Sequence, residues 1–389
     1  MSAERTARLA TQLRERELDA LIVAAPLNVR YVTGFTGSNG LALVRAAGGE
    51  GAGAGAEGGA GGEGAGAEGG ARAGSGADSF FTDFRYTLQS AEQVGQAFAR
   101  EIVTGSLLEA AARALGEAGG RLGFDDAHTT VAEHERLRTA LADGWELVPA
   151  AGLVERLRAV KDEDEIERLR AAAQLADRAL EEVLEEGLVG RAERDVAVEL
   201  ELRMRRLGAQ APSFSSIVAA SAHGALPHAE PRAEPIPRDV LVTIDWGAQL
   251  DGYCSDCTRT YATGEGVSAE AREVYATVLA AQEAGVAAVQ AGPTGRDVDA
   301  IARVVIEQAG YGEHFGHGLG HGVGLDVHEA PRLSRIESEQ PLLAGNVVTV
   351  EPGIYLPGRL GVRIEDLLVV RDCTQETLNG LDKALTVIS

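Results

Sequence analysis

Two acidic residues, Asp245 and Asp256, lie on either side of a predicted turn in the segment VTIDWGAQLDGYCSDCTRT. A loop centred on Leu250-Asp251 would place the two carboxylates directly opposite each other in a hairpin, with Cβ atoms about 4.5–5.5 Å apart. A loop at Asp251-Gly252 would instead place Asp256 diagonally, on the same face. In either register two like charges share one face, which is destabilising unless a cation lies between them. The segment therefore predicts a metal site.

Three further residues extend the set of candidate metal ligands. Two predicted strands each end on a carboxylate, Glu351 in TVEPG and Glu365 in VRIED, and His321 lies in the segment HFGHGLGHGVGLDVH. With Asp245 and Asp256, the set carries four carboxylates, whose charge two divalent cations would neutralise. Carboxylates with one imidazole and no thiolate suit Mn²⁺, Co²⁺ or Fe²⁺, with Zn²⁺ as a further option. Two such ions about 3.5–4 Å apart can activate a water and hold a tetrahedral intermediate, so the set indicates a metallohydrolase.

The histidine-rich segment is predicted to be extended rather than helical. Glycine occupies every second position from Gly316 to Gly324, and glycine disfavours helix interiors. In an extended backbone His317 and His321 share one face, and the other face is bare glycine, which another backbone or a substrate can approach closely. The segment does not match G-x-G-x-x-G in any frame, so it does not predict a dinucleotide site.

Cys254 and Cys257 have the C-x-x-C spacing of redox and zinc motifs. A second cysteine pair does not accompany them, and no thioredoxin-like helix start follows in the sequence. The favoured interpretation is two small apolar residues flanking Asp256, with a redox-active or zinc-binding pair as the alternative. We expect free thiols.

These motifs resemble those of the creatinase/methionine-aminopeptidase, or pita-bread, family of metallopeptidases, and in particular its Xaa-Pro branch of aminopeptidase P and prolidase. They occur in family order over residues 212–366, as PSFSSIVAASAHGALPHA, IDWGAQLDGYCSDCTRTY, HGLGHGVGLDVHEAP, GNVVTVEPGIYLPG and GVRIED. VKDEDEIERLR at 160–170 resembles the family's first helix, and NVRYVTGFTGSNG and TDFRY extend the resemblance into the N-terminal half.

The resemblance implies a metal-binding role for each member of the candidate set. Asp245 would chelate one ion, Asp256 and Glu365 would bridge both ions, and His321 and Glu351 would hold the other. Glu351 is also expected to act in catalysis as the carboxylate that shuttles a proton. We expect two divalent ions per subunit, with manganese as the leading candidate.

The resemblance also implies residues that act on the substrate. His228, in LPHA, and His328, in DVHE, are expected to contact the substrate and stabilise the tetrahedral intermediate. His317 is expected in the substrate pocket, and Arg363 is expected beside it as a partner of the carboxylates. Selectivity for proline at the second position of small peptides follows from the resemblance alone.

The elements around these motifs predict two domains. Residues 1–152 alternate predicted strands and helices, which indicates an α/β domain resembling the creatinase N-terminal domain. Residues 153–389 combine four predicted helices, including a long one over Leu153–Glu186, with an antiparallel sheet, which indicates an α+β catalytic domain of pita-bread type. Residues 46–77 are almost entirely Gly and Ala. Because this composition buries too little apolar surface to offset its ordering entropy, we expect a disordered insertion.

Composition limits the partners and the compartment. The 389-residue chain is 45% hydrophobic, carries a formal net charge of −23 and has a pI near 4.8. A polyanion is a poor ligand for nucleic acid or an anionic membrane, so neither is expected. The polar N-terminus does not resemble a signal peptide, no run approaches the roughly 18 apolar residues that span a bilayer, and three cysteines form no disulfide framework. We expect a cytoplasmic protein.

Several alternatives stay open at this point. A non-catalytic pita-bread module that binds peptides or proteins would be expected to have lost metal ligands, and a methionine aminopeptidase-like specificity is opposed by VRIED and by the N-terminal domain. Creatinase shares both domains but lacks the ligand set. Whether the substrate is a dipeptide or a longer peptide is open, and a homodimer is expected from the resemblance.

Overall fold

The structure is a computed structural model that describes residues 2–46, 76–336 and 340–389. Most of the predicted Gly/Ala insertion, residues 47–75, lies outside the described residues. The chain divides into two compact units, Met1–Leu157 and Arg158–Ser389, whereas the boundary predicted from the sequence lies between 152 and 153. Within the described ranges, no helix combines the length and the apolar character needed to cross a bilayer.

The first unit is an α/β domain built on one mixed sheet. Its elements are α1 (Ser2–Glu15), β1 (Ala20–Val23), α2 (Pro26–Thr33), β2 (Gly40–Arg45), β3 (Ser79–Thr82), α3 (Thr87–Gln93), β4 (Ala99–Ile102), α4 (Leu107–Leu115), β5 (Gly120–Phe124), α5 (Val131–Ala140) and β6 (Trp145–Pro149). The strand order is β4-β3-β2-β1-β5-β6, with β1, β5 and β6 parallel and β2 antiparallel to both of its neighbours. Apolar residues of α4 and α5 form one buried cluster with residues of the sheet. The predicted α/β class is confirmed.

The second unit is an α+β domain. Its elements, beginning with a helix that spans the point of division, are α6 (Leu153–Ala159), α7 (Glu163–Leu184), α8 (Glu193–Arg206), β7 (Ala211–Pro212), β8 (Ile217–Ala220), β9 (Leu241–Trp246), β10 (Ala248–Leu250), β11 (Tyr253–Cys254), β12 (Cys257–Ala262), α9 (Ala269–Ala288), α10 (Gly295–Gln308), β13 (Gly320–Gly322), β14 (Glu329–Leu333), β15 (Val347–Val350), β16 (Gly353–Leu356), β17 (Leu360–Arg363), β18 (Asp366–Val370) and β19 (Gln375–Thr377). The strands form the groups β11-β10-β7, β12-β9-β8, β14-β13-β15-β18-β19 and β16-β17. The pairings between these strands are antiparallel, as predicted.

Two apolar cores hold this unit together. Residues of α7 and α8 pack with those of β8 and β9, and residues of α9 and α10 pack with those of β15 to β18. Trp246, at the end of β9, is fully buried and its indole donates a hydrogen bond to the carbonyl of Ala176 in α7. The helices thereby fix the strands from which the acidic residues project.

The long helix predicted over Leu153–Glu186 is interrupted, because tertiary contacts override its pattern at 160–162. Val160 forms an isolated bridge with Asn346, and the Lys161 amide donates to the carbonyl of Gly345. Asp162 then caps α7 through a capping box with Glu165. The prediction of one continuous helix is wrong.

Candidate active site

The hairpin that carries the first two acids has the diagonal register. Asp245 in β9 pairs with Thr258 in β12, not with Asp256. The loop consists of Asp251 and Gly252, whose φ angles of 47° and 79° suit a two-residue turn that needs positive φ at both positions. The directly opposed arrangement was therefore the wrong alternative. Both carboxylates nevertheless reach the same cavity, as either register predicts.

All five predicted metal ligands line one cavity of about 690 Å³ in the second unit. The ligand atoms of Asp256, His321 and Glu365 lie within 4.8 Å of one another. His321 Nε2 is 3.6 Å from Asp256 Oδ2 and 3.3 Å from Glu351 Oε1. Asp245 lines the same cavity and accepts a hydrogen bond from Arg363.

Arg363, at the end of β17, is the partner of the carboxylates that the sequence predicts. Its Nη2 donates to Asp245 Oδ2 at 2.6 Å and its Nε donates to Thr258 Oγ1 at 3.0 Å. Thr258 in turn donates its hydroxyl to Glu365 Oε2 at 2.7 Å. Arg363 also donates to the hydroxyl of Tyr355 at 3.0 Å. One buried guanidinium therefore fixes the orientation of two acids, one directly and one through a threonine.

The buried carboxylates of this cavity lack sufficient positive charge from the protein around them. Burial raises the pKa of Asp256 and of Glu365, and repulsion from the neighbouring carboxylates raises both further. Burial also raises the pKa of Asp245, although Arg363 opposes the shift, and it raises the pKa of Glu351 to about 7. Asp245 Oδ1 is buried without a hydrogen-bond partner. Divalent cations would supply the missing charge and a partner for this oxygen, so the donor set fits a metal site.

The imidazole of His321 is neutral and held in one orientation. Burial lowers its pKa to about 4, so the imidazole is uncharged near neutral pH. Its Nδ1 donates to the carbonyl of Gly322 at 3.1 Å, which leaves the Nε2 lone pair directed at Asp256 and Glu351. A backbone hydrogen bond to the distal nitrogen is the usual way in which a metal-binding histidine is oriented.

The three other predicted histidines, His228, His317 and His328, line the same cavity. The ring of His328 meets that of His321 edge-on, with centroids 4.3 Å apart. His317 Nδ1 donates to the carbonyl of Gly318, and its Nε2 accepts from the Tyr355 hydroxyl at 2.9 Å. Burial lowers the pKa of His317 to about 4, so this ring is neutral. The structure brings all predicted site residues together.

The glycines of the histidine-rich segment are needed for close approach, as predicted. Within this segment only Gly320–Gly322 form a strand, β13, which lies between β14 and β15. The chain bends at His317 and Leu319 and again over 324–328, so the predicted extended backbone is found in only part of the segment. A Cβ on Gly320 would lie 2.0 Å from the carbonyl oxygen of Thr349, and one on Gly322 would lie 2.2 Å from that of Ala330. Neighbouring strands therefore occupy the space of the missing side chains, which positions His321.

Sequence reasoning missed three polar residues of the site. Tyr355 joins Arg363 to His317, and Thr258 joins Arg363 to Glu365. Thr349 Oγ1 donates to Glu351 Oε1 at 3.2 Å. The alternation of side chains in β12 would have placed Thr258 on the same face as Asp256, but no sequence signal indicated Tyr355 or Thr349.

The structure places a second, smaller group of candidate ligands in the first unit. Ligand atoms of Asp125, His128 and Glu155 lie within 4.8 Å of one another. The amide of Asn28 donates to both carboxylates, and His128 Nδ1 is 3.1 Å from Asp125 Oδ2. Asn28 is therefore a partner of both acids, whereas Asp125 Oδ1 is buried without a hydrogen-bond partner.

The C-x-x-C pair has the properties of buried apolar residues. Cys254 and Cys257 are buried and free, as expected. Burial raises the pKa of Cys254 to about 11 and also raises that of Cys257. Because the thiolate is the reactive form, the redox alternative has no support in the structure.

Comparison with family sequence profiles assigns both halves of the chain. Residues 167–372 match the profile of metallopeptidase family M24. Residues 5–52 and 64–160 match the profile of the creatinase/prolidase N-terminal domain.

Individual proteins with known names are similar over nearly the whole chain. The uncharacterized peptidase YqhT of Bacillus subtilis is 40% identical over 374 residues, which cover 95% of this chain and 96% of that protein. The solved structure of an Xaa-Pro dipeptidase from Bacillus anthracis superposes with a TM-score of 0.88 at 37% identity and covers 100% of both chains. The X-Pro aminopeptidase from Thermotoga maritima superposes with a TM-score of 0.82 at 31% identity, over 95% of this chain and 98% of that one.

Proposed function

The chain belongs to metallopeptidase family M24, and we propose that it is an exopeptidase that hydrolyses the N-terminal Xaa-Pro bond of small peptides with two divalent metal ions. The observation that carries the proposal is the convergence of four buried carboxylates and one neutral imidazole on a single cavity. Membership of this family implies divalent metal ions. The names of the similar structures, an Xaa-Pro dipeptidase and an X-Pro aminopeptidase, support the substrate class.

The proposed ligands divide between two ions. Asp245 would hold one ion, His321 and Glu351 would hold the other, and Asp256 and Glu365 would be ligands of both. When bound, such ions activate a water and polarise the scissile carbonyl. The oxygen-rich donor set favours Mn²⁺, with Co²⁺, Fe²⁺ or Zn²⁺ as the other candidates.

The protein residues around these ligands orient the reacting groups and carry a proton. Glu351, whose Oε1 accepts the hydroxyl of Thr349, holds the proton of the attacking water and passes it to the leaving amine of proline. Arg363 opposes the rise that burial causes in the pKa of Asp245, and it fixes the orientation of this carboxylate through the 2.6 Å hydrogen bond.

The histidines that line the cavity contact the substrate in this proposal. His228 and His328 stabilise the developing negative charge on the scissile carbonyl oxygen, which is the kind of contact that strengthens in the transition state. His317, fixed between Gly318 and Tyr355, and Arg363 form the polar side of the substrate pocket. A non-catalytic binding module is not favoured, because the whole ligand set is present in one cavity.

The proposal is tested by removing and restoring metal. The purified protein is expected to cleave a dipeptide such as Ala-Pro, to lose this activity on dialysis against a chelator and to regain it with Mn²⁺. Ala-Ala, which lacks proline, is the matched control substrate. Full activity in the chelated protein would contradict metal dependence, and equal cleavage of both dipeptides would contradict proline selectivity.

The same assay distinguishes a dipeptidase from an aminopeptidase. Ala-Pro, Ala-Pro-Ala and longer peptides are compared at equal concentration, and cleavage of the dipeptide alone identifies a dipeptidase. The homodimer and the cytoplasmic location are further parts of the proposal, which sedimentation and cell fractionation test.

A further inference from the structure

Two buried glutamates that do not line the cavity each hold a segment that does. Glu193 lies at the start of α8, and Glu329 lies at the start of β14. The first contacts both ends of the segment that carries His228, and the second directly follows His328. Each of the two candidate substrate histidines therefore lies on a segment that a buried glutamate side chain contacts.

Glu193 joins the two ends of residues 220–232. This residue is 1% exposed, and its carboxylate accepts from the backbone amides of Ala220 at 2.9 Å and Arg232 at 3.0 Å. It also accepts from His223 Nδ1 at 2.8 Å and from Arg232 Nε and Nη2 at 3.1 and 3.0 Å. Burial acts to raise the pKa of Glu193, but these hydrogen bonds outweigh it and the pKa lies below its ordinary value. The carboxylate is therefore ionised, which strengthens each bond.

The same segment is fixed near its middle by the active site. Arg363 Nη1 donates to the carbonyl of Pro227 at 3.3 Å, directly before His228. Glu193 therefore holds the two ends of this segment, and Arg363 holds the residue directly before His228. Among the described residues, only the side chain of Glu193 bonds to both ends of this segment. Its carboxylate therefore sets the positions of these two ends.

Glu329 supports the other histidine in a comparable way. Its Oε1 accepts from the amide of Asp326 at 2.9 Å and from Arg158, and its Oε2 accepts from Lys161 Nζ at 3.4 Å. The side chains of Arg158, Lys161 and Glu329 are all less than one-tenth exposed. A Cβ on Gly324 would lie 2.7 Å from Glu329 Oε2. The carboxylate therefore closes the turn that leads into His328.

We propose that Glu193 and Glu329 are positioning residues, which place His228 and His328, respectively, against the substrate. This inference rests on the proposed function, in which both histidines contact the substrate. Neither glutamate lines the cavity, so each acts through the histidine that its segment carries.

The decisive experiment is a pair of double-mutant cycles on the manganese-loaded enzyme with Ala-Pro as substrate. Glu193→Gln keeps the shape of the side chain but replaces an acceptor oxygen with a donor. We expect it to lower kcat/KM by about 10- to 100-fold, since small displacements of a catalytic group have effects of this size. In a His228→Ala background the same substitution is expected to change kcat/KM by less than about twofold, because the group that it positions is gone.

The second cycle is the matched control for the first. Glu193→Gln in a His328→Ala background is expected to keep its full effect, and Glu329→Gln is expected to couple to His328→Ala but not to His228→Ala. Glu234→Gln is a further control, since Glu234 is 64% exposed and its carboxylate lies 3.6 Å from the same Arg232. This variant is expected to have normal kcat/KM.

The outcomes separate the inference from the function on which it rests. Equal effects of Glu193→Gln with and without His228 would show a general loss of structure and overturn the inference, while leaving the peptidase assignment intact. Normal kcat/KM in His228→Ala would overturn the proposed role of that histidine. Bound metal and thermal unfolding are measured on every variant. Bound metal is expected to match wild type, whereas Glu193→Gln and Glu329→Gln are expected to lower the unfolding temperature, because each removes a buried charge partner; kinetics are therefore measured well below that temperature. If Glu193→Gln does not fold, Arg232→Ala removes two of the five hydrogen bonds and enters the same cycle.

Discussion

Glu365 and Asp366 are adjacent residues, each 1% exposed, in opposite electrostatic surroundings. Burial raises the pKa of Glu365, and repulsion from Glu351 and Asp245 raises it further. Burial also acts to raise the pKa of Asp366, but Arg259 and Lys383 outweigh it, and that pKa lies below its ordinary value. The two carboxylates differ in the charges that face them and not in their depth.

Asp366 has its counter-charges within the protein. It accepts from Arg259 Nη2 at 2.8 Å, from Lys383 Nζ at 2.7 Å and from Gln282 Nε2 at 2.9 Å. Glu365 accepts the hydroxyl of Thr258 and faces other carboxylates. A buried acid that the protein itself neutralises is part of the scaffold, whereas a group of buried acids without enough cations is a site for ions from solution.

The largest expected effect is a loss of activity when one of the cavity carboxylates, the group to which Glu365 belongs, is replaced. Asp256→Asn removes the charge of a ligand proposed to serve both ions, and we expect kcat/KM on Ala-Pro to fall by more than about 100-fold, because loss of outer partners alone lowers metal affinity or activity by about 10- to 100-fold. Elemental analysis is expected to show fewer than two ions per chain. Near-normal turnover in this variant would contradict the two-metal site.

The next largest effect is a loss of stability when Asp366, the carboxylate that the protein itself neutralises, is replaced. Asp366→Asn leaves the buried guanidinium of Arg259 without its carboxylate partner, and breaking such a pair lowers the free energy of unfolding by about 3–5 kcal/mol. Denaturant unfolding measures the change. Asp372→Asn, at an exposed position nearby, is the control and is expected to stay within about 0.5 kcal/mol of wild type. Equal stability of the two variants would mean that the buried network has no structural role.

In metal-free protein we expect the substitution Asp256→Asn to raise the free energy of unfolding, by less than Asp366→Asn lowers it. There Asp256→Asn relieves repulsion from Glu365 and Asp245, so the chelated variant is expected to be more stable than chelated wild type by about 1–2 kcal/mol. With Mn²⁺ present the order reverses, because metal stabilises the folded state that binds it. Thermal unfolding with and without metal tests both signs, and destabilisation in both conditions would contradict the interpretation of this cavity as short of positive charge.

The smallest effect is expected at Cys257, which lies beside Asp256 and is buried. Its Sγ is 3.3 Å from Arg259 Nη1, but the residue contributes mainly packing. Cys257→Ala is expected to keep turnover within a few-fold of wild type in the same peptidase assay. A loss as large as that of Asp256→Asn would revive a functional role for the C-x-x-C pair.

Four of the five proposed metal ligands follow a local pattern in the sequence. Asp245, Glu351 and Glu365 each lie at the end of an apolar run, and His321 lies between glycines that only an extended, closely packed backbone explains. The structure places all of them at one cavity. The assignments of ions and catalytic roles to these residues rest on the family resemblance and stay predictions.

The missed features depend on contacts between residues far apart in the chain. The backbone of Asn346 pairs with that of Val160 and interrupts the helix predicted over Leu153–Glu186. No sequence pattern around residue 160 indicates this bridge. Tyr355 joins the site only because β16 pairs with β17, which ends on Arg363. Such contacts depend on which segments pair in the folded chain, and the periodicity of the side chains carries no information about that pairing.

The sequence by itself determined the candidate ligand types, the glycines that let β13 pack closely between its neighbours, and the succession of an α/β and an α+β domain, since composition and periodicity express local backbone preferences. Only the tertiary structure decided that the turn is Asp251-Gly252 and that Glu193 joins two ends of a segment 27 and 39 residues away. It also decided that Glu365 faces acids while Asp366 faces Arg259. The physical reason is that the free energy of a buried charge depends on which distant groups surround it, and only the folded chain brings those groups together.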